Sequence, residues 1–497
     1  MINTTISINV DGKKIDVENG ATLLEVLHEN GFDIPTLCYY KGLTPQGSCR
    51  LCTIEIVRKG RSSFVTSCNY PITDAIEVKT NTKEVQEIRK LLIELLLARC
   101  SDVKIIKDLA IKLGVEKTRF PLEHDNCILC GLCVRACDEI AGAHAISFSN
   151  RGVSKKISTP FDEVSDYCIN CNECIKVCPT GAVELWVKEF SQTPDCLASG
   201  HRLCAGCAES IIVRQILHGT NDPIVASNAT GCCEITTSIF PFTAWKIPWI
   251  HSAFENVAAT ISGAEAAYKV MKRKGKFKDK NIKFVAFAGD GGTYDIGIQA
   301  LSGAAERGHD FLYVCINNEA YMNTGIQRSG ATLKGASTTT SPAGSMIPGK
   351  REYPKDMTEI MVAHHIPYVA NASPGFYNDL IAKARKAFNI EGPKFMNVIS
   401  PCPRGWRYSP EKTIEMARKA VETCLWPLYE VEYGKHRLTG LSRMIAEGKR
   451  EKLPIEEYLR SQGRFSHLFT DKFKPMIPEI QKQVDKNWNE LKKKCGY

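Results

Sequence analysis

The chain has 497 residues, an ordinary share of apolar and charged side chains, and a formal net charge of +9, so it is long enough for about three domains with separate cores. The positive balance is spread over Lys-rich stretches such as 272–283 and 492–494, which read as solvated faces rather than a nucleic-acid patch. The unusual number is 22 cysteines, most of them in short regular spacings; a chain this long does not need disulfides to fold, so they read as metal ligands in a reducing compartment. The start, MINTTISINVDGKK, lacks the charged-then-apolar pattern of a secretory signal. The most apolar helix candidate, LLIELLLA at 91–98, is far too short to cross a bilayer. The expectation is a cytoplasmic protein, most at home in an anaerobe, with no membrane span.

Ile6, Ile8 and Val10 alternate, Asp11-Gly12 turns the chain, and Ile15 and Val17 alternate again, predicting a hairpin. A helix from about Thr22, stopped by Gly31, follows. This start resembles a plant-type ferredoxin. Cys38, Cys49, Cys52 and Cys68 come next; four thiolates with a close Cys-x-x-Cys suit a 2Fe-2S cluster, and a tetrahedral zinc is the rival. The words PTLCYYKGLTPQGSCRLCTIEI and SCNYPITDAIEVKT favour the cluster. They resemble the large iron-sulfur subunit of complex I and of iron hydrogenases, a likeness that covers residues 1–185. That family carries a His-and-three-Cys cluster after this domain, whereas here the helical stretch offers only Cys100, so that cluster is expected to be missing.

Cys127, Cys130, Cys133 and Cys137 form Cys-x2-Cys-x2-Cys-x3-Cys, and Cys168, Cys171, Cys174 and Cys178 repeat it before Pro179. In two-cluster ferredoxins the fourth cysteine of each run binds the other cluster. One 4Fe-4S set is therefore Cys127, Cys130, Cys133 and Cys178, and the other is Cys168, Cys171, Cys174 and Cys137. Eight thiols in this doubled spacing make zinc a poor rival. His124 reads as a surface histidine.

Residues 186–200 have no periodicity and read as a linker. Further on, IKFVAFA at 282–288 runs into Gly289-Asp290-Gly291-Gly292, and FLYVCI at 311–316 runs into Asn317-Asn318. Both read as buried parallel strands. A Gly-rich reversal at a strand's carboxyl end lets backbone N–H groups approach a diphosphate, while Asp290 and Asn318 offer hard oxygens for Mg2+. The pattern looks like a thiamine diphosphate site; Gly-Asp-Gly alone would be an ordinary turn.

Cys204, Cys207, Cys232 and Cys402 are scattered by themselves and could be inert buried thiols. The words NATGC, TAWKIPWIHSAFENVAATISG, NNEAYMNTGIQRSGAT and SPCPRGW make residues 195–435 resemble the beta subunit of pyruvate:ferredoxin oxidoreductases. That resemblance implies a proximal 4Fe-4S cluster held by those four cysteines, with Cys232 chosen over Cys233 because it follows Ala-Thr-Gly. It implies that Glu209 and Thr230 lie against the cofactor, that Asp290, Asn318 and the Ala320 carbonyl hold Mg2+, and that Asn323 faces the reacting carbons. Glu209 and Asn323 are the expected catalytic residues, with Gly289 and Gly291 at the diphosphate.

The fold expected is multidomain α/β. It has a beta-grasp 2Fe-2S domain (1–82), a helical connector (83–122), a two-cluster ferredoxin domain (123–185), the linker, a doubly wound thiamine domain (201–435) and a helical tail (436–497). The tail's last helix places Ile477, Ile480, Val484, Trp488 and Leu491 on one face, toward its own domain or a partner. The function expected is CoA-dependent oxidative decarboxylation of a 2-oxoacid, pyruvate first, or the reverse. Phenylglyoxylate, oxalate and branched-chain 2-oxoacids are the alternative substrates. Expected partners are an alpha subunit carrying the pyrimidine-binding domain and its activating Glu, a gamma subunit, ferredoxin and an NADH-oxidising flavoprotein. Two rival readings are a non-catalytic electron-transfer subunit and a zinc-rich nucleic-acid binder.

Overall fold

The structure is a computed structural model that describes residues 5–162, 165, 167–169, 171–184, 194–277 and 281–497. It divides into two compact units, Met1–Ser165 with Cys171–Gln192, and Asp166–Asn170 with Thr193–Tyr497. Among the described residues no helix is long and apolar enough to cross a membrane.

In the first unit β1 (Thr5–Val10), β2 (Lys13–Glu18), β3 (Thr53–Arg58), β4 (Arg61–Thr66) and β5 (Glu77–Lys79) form one sheet in the order β2-β1-β5-β3-β4. Asp11 and Gly12 both take positive φ, 47° and 89°, as a two-residue hairpin turn requires. The helix Leu23–Glu29 buries Leu23, Leu24, Val26 and Leu27 against the sheet's apolar face. The cysteine loop runs between this helix and β3. After it the helix Lys83–Arg99, capped by the Thr82 side chain on the Val85 N–H, packs on the helix Lys104–Lys112. Cys100 sits in their apolar seam with no exposure, and burial pushes its thiol up to about 12. A short hairpin of β6 (Ser147–Ser149) and β7 (Lys156–Ser158) follows. His124 is exposed and faces Asp102 at 2.9 Å.

The second unit is built on β8 (Ile224–Ala229), β9 (Trp249–Ser252), β10 (Lys283–Gly289), β11 (Leu312–Asn317), β12 (Tyr368–Ala372), β13 (Lys394–Ile399), β14 (Tyr429–Glu432) and β15 (Lys435–Leu438). Their order is β15-β14-β12-β13-β11-β10-β8-β9, with β8 to β13 parallel and the last two antiparallel. Alternate residues fill opposite faces. Ala286, Tyr313 and Cys315 pack under the helices Val257–Arg273 and Ile298–Glu306, while Val285, Phe287 and Val314 pack under Ala208–Leu217 and Tyr377–Asn389. Burial on both faces explains why these strands read as nearly unbroken apolar runs.

From β8 the chain steps outward to β9, then crosses back to β10 and proceeds the other way. The carboxyl ends of β8 and β10 thus flank a topological switch point, where open α/β sheets leave a crevice.

Two stretches differ from the sequence expectations. Residues 436–438, expected in a helical tail, form β15, because Tyr433 and Gly434 turn the chain at φ 46° and 80° and close a hairpin. Of the expected linker, residues 186–193 lie outside the described residues, and the remainder is packed: Leu197 is fully buried and Asp195 pairs with Arg214 at 2.7 Å. The last helix, Met476–Lys494, buries Ile477, Ile480 and Val484 in one core of its own unit and Trp488 and Leu491 in another.

Candidate functional site: a diphosphate-type cavity and four cysteine sets

At the carboxyl ends of β8, β10 and β11 lies a cavity of about 200 Å³. Glu209, Thr230, Cys232, Gly289, Gly291, Asn318, Ala320 and Asn323, all anticipated from the sequence, line it together. At Gly291 a side chain is excluded, since a Cβ would meet ring carbons of Tyr321 at 2.5 Å. The missing Cβ lets the Tyr321 ring lie over the strand end.

Asp290 is fully buried behind this wall. It accepts from the Asn318 N–H at 3.2 Å and from the Ser329 hydroxyl. Burial dominates these bonds and pushes its carboxyl up to about 8. Glu209, also buried, accepts from Asn318 Nδ2 at 3.2 Å, and burial raises its carboxyl to about 7. Two oxygens here, Glu209 Oε2 and Asn318 Oδ1, are buried without a hydrogen-bond partner. A buried carboxyl with a neighbouring orphan amide oxygen is a donor set that fits a hard divalent cation, which takes carboxylate and carbonyl oxygens.

Residues to which the sequence assigned no role complete the support. Trp406 Nε1 donates to the Asn318 carbonyl at 2.9 Å, and Glu319, next in the chain, forms a buried ion pair with Arg464 at 2.6 Å. Lys350, 2% exposed, donates to the carbonyls of Thr332 at 2.6 Å and Ser329 at 3.4 Å. Ser329 is 39 positions from Asp290 and Trp406 is 88 from Asn318, so neither pairing has a short-range sequence signal.

Cys232 lies within charge range of Cys204 and Cys402, and Cys207 within range of Cys402 and Cys232. Burial raises the Cys207, Cys232 and Cys402 thiols, the last to about 11, and the Asn323 amide works against this by hydrogen-bonding Cys232. Cys233 lines the same cavity but is more deeply buried, packed in the core beside Asn228, with Glu209 and Cys232 in charge range of it. Thr230 bonds to His251 Nε2 at 2.8 Å on the rim.

In the first unit Cys38 takes hydrogen bonds from the Cys49 and Cys68 thiols, which favour its thiolate and draw its pKa down, and a hydrogen bond from Cys68 likewise lowers Cys52. Cys127, Cys130, Cys133 and Cys178 line one cavity of about 230 Å³. The fourth cysteine of the second run is thus beside the first three of the first run. Cys174, on the helix Glu173–Lys176, packs near the Ala136–Ile140 turn that carries Cys137, and Cys171 is in the same unit. Cys168 falls in the second unit, where its sulfur accepts from Asn378 at 3.7 Å. Among the described residues no three His, Cys, Asp or Glu side chains are arranged to grip one ion.

Three domain families match the chain: the 2Fe-2S iron-sulfur cluster binding domain at residues 3–83, the 4Fe-4S dicluster domain at 126–182, and the C-terminal TPP binding domain of thiamine pyrophosphate enzymes at 229–398. The chain is thus an iron-sulfur oxidoreductase with a thiamine diphosphate-binding half. Pyruvate synthase subunit PorB of Methanocaldococcus jannaschii is 55% identical over 58% of this chain and 93% of its own length. The PorB subunit of Thermotoga maritima is 49% identical over 61% and 93%, and ketoisovalerate oxidoreductase subunit VorB of Pyrococcus abyssi is 43% identical over 59% and 92%. The chain belongs to the PorB family, the beta subunits of 2-oxoacid:ferredoxin oxidoreductases, and carries an N-terminal iron-sulfur module beside that subunit.

Proposed function

We propose that the chain is the thiamine-bearing subunit of a pyruvate oxidoreductase, catalysing CoA-dependent oxidative decarboxylation or the reverse synthesis. The observation that carries this reading is the meeting of Asn318, Glu209, Cys232 and Asn323 in one cavity, with Asp290 behind its wall bonded to Asn318. Pyruvate is preferred because the PorB relatives match at up to 55% identity; the VorB match at 43% makes branched-chain 2-oxoacids the second reading.

Bound thiamine diphosphate supplies carbanion chemistry on the 2-oxoacid. Asp290, Asn318 and the Ala320 carbonyl would hold Mg2+, and Gly289, where a Cβ would meet nothing within 4 Å, leaves open space for the diphosphate beside Gly291 on the same wall. Glu209 fixes the Asn318 amide, so that the amide oxygen stays available to the cation. Thr230 and Asn323 line the space for the reacting carbons. Cys204, Cys207, Cys232 and Cys402 hold a 4Fe-4S cluster at the cavity's edge. Cys38, Cys49, Cys52 and Cys68 hold a 2Fe-2S cluster, and the two ferredoxin-type sets hold two more cubanes, giving a relay toward ferredoxin or an NADH-oxidising flavoprotein. An alpha subunit supplies the carboxylate that activates the aminopyrimidine, and a gamma subunit completes the assembly, so the isolated chain is inactive.

The test is an anaerobic assay of the native complex with pyruvate, 2-ketoisovalerate, phenylglyoxylate and oxalate. CoA is supplied, with viologen, ferredoxin or NAD+ as acceptor, and the copurifying chains required for turnover are recorded. Fastest turnover on pyruvate is expected. No turnover of any 2-oxoacid and no bound thiamine diphosphate would sink the reading in favour of an electron-transfer subunit.

A further inference from the structure

Arg135 joins two loops that carry cluster cysteines. It is 8% exposed. Its Nη1 donates to the Thr44 carbonyl, while Nη2 donates to the Cys38 carbonyl at 2.8 Å and to the Cys130 carbonyl at 3.5 Å. One nitrogen is therefore shared by a residue of the 2Fe-2S set and a residue of the first cubane set. Nε is buried without an acceptor. The acceptors it does have are neutral carbonyls, and among the described residues no carboxylate pairs with it. Around it Cys38, Leu43, Cys130, Leu132, Ala136 and Val177 form one apolar cluster. A buried guanidinium without a counter-charge is strongly unfavourable, so the site calls for anionic charge on both sides.

We propose that Arg135 is the electrostatic link of the N-terminal relay, a positioning residue that clamps the 2Fe-2S loop to the adjacent cubane loop and stabilises the reduced form of both clusters. This rests on the cluster assignments of the proposed function. Each thiolate-bound cluster is anionic and gains one further negative charge on reduction, so a fixed cation raises its potential. Arginine cannot lose its proton in a protein, so the cation is permanent. With both cysteine sets loaded, the chemistry they would supply is one-electron transfer, in which no bond or proton changes hands. The guanidinium bonds to the backbones of both cysteine sets, at 2.8 Å to Cys38 and 3.5 Å to Cys130, so its charge would bear on both clusters.

The experiment is an EPR-monitored redox titration of the whole complex carrying Arg135→Gln or Arg135→Lys, with iron and acid-labile sulfide measured on each. In an assembled Gln variant the reduced-to-oxidised ratio of both N-terminal clusters at a given potential is expected to fall about tenfold, equal to about 59 mV for a one-electron couple. The cluster of Cys204, Cys207, Cys232 and Cys402 should not move. The Lys variant, which keeps the charge, should stay near the wild-type ratio. If the Gln variant loses its clusters while the Lys variant keeps them at near wild-type potentials, a buried cation is required and the proposal stands. Wild-type potentials in an assembled Gln variant, or cluster loss in both variants, would make Arg135 a packing element and overturn it. Absence of 2Fe-2S and 4Fe-4S signals in the wild-type complex would instead defeat the cluster assignment.

Discussion

Asn318 donates from Nδ2 to Glu209 at 3.2 Å while its own Oδ1 is buried without a partner. The two residues are 109 positions apart, one just after β11 and one on the first turn of the helix Ala208–Leu217. Asn318→Leu removes the orphan oxygen, and the affinity of the complex for thiamine diphosphate with Mg2+ is expected to fall roughly 10–100-fold. Glu209→Gln retains a hydrogen-bonding partner for the amide and should lose less. Calorimetric titration of cofactor-stripped complex measures both. Equal losses would show that the bond, rather than the free oxygen, matters.

Cys232 and Cys233 are neighbours with different surroundings, the first in charge range of Cys204 and Cys402 and the second in the core beside Asn228. Cys232→Ser should remove the proximal cubane's EPR signal and about four iron atoms, the content of one such cluster. Cys233→Ser should keep the signal and cost about 1–3 kcal/mol of stability through the buried hydroxyl. The reverse pattern would move the ligand to Cys233.

The side chains of Glu319, next in the chain to Asn318, and Arg464 are 2% and 3% exposed and form an ion pair at 2.6 Å. Arg464→Met strands a buried carboxylate and is expected to cost about 3–5 kcal/mol. The double variant Glu319→Gln with Arg464→Met should recover much of that loss. Denaturant unfolding under anaerobic conditions reads it; a double variant no better than the single one would show that packing of the long side chains dominates.

Lys350 is held among carbonyls, and burial lowers its pKa from 10.5 to about 8. Between these values the unfolded chain binds more protons than the folded one, so this lysine's contribution to stability rises as pH increases from about 8 to 10.5. Below about 8 both states are protonated and the full penalty of a buried ammonium persists. The difference in Tm between wild type and Lys350→Met should therefore change with pH in that window and be flat below it. A difference independent of pH would mean that Lys350 keeps an ordinary pKa.

The regular parts of the fold were legible in the chain because they are local. Strict alternation around Asp11-Gly12 allows only a hairpin, and the apolar runs before Gly289 and Asn317 suit strands covered on both faces. The hairpin Tyr429–Glu432 with Lys435–Leu438 has only Tyr433-Gly434 as a turn signal in the sequence. Strands of four residues carry too little alternation to mark it further.

The sequence by itself determined the chemistry. Cysteines three and four positions apart on a short loop are within reach of one cluster whatever surrounds them, and Gly-Asp-Gly and Asn-Asn sit at strand ends that local patterning already locates. Only the tertiary structure decided which distant groups meet. It set Cys178 in the cavity of Cys127, Cys130 and Cys133, turned Cys232 toward Cys204 and Cys402, and gave Asn318 to Glu209. It also set Arg135 between Cys38 and Cys130. These contacts close loops of up to about a hundred residues or more, and burial of whole faces, rather than any residue's own preference, chooses among the ways such loops can close.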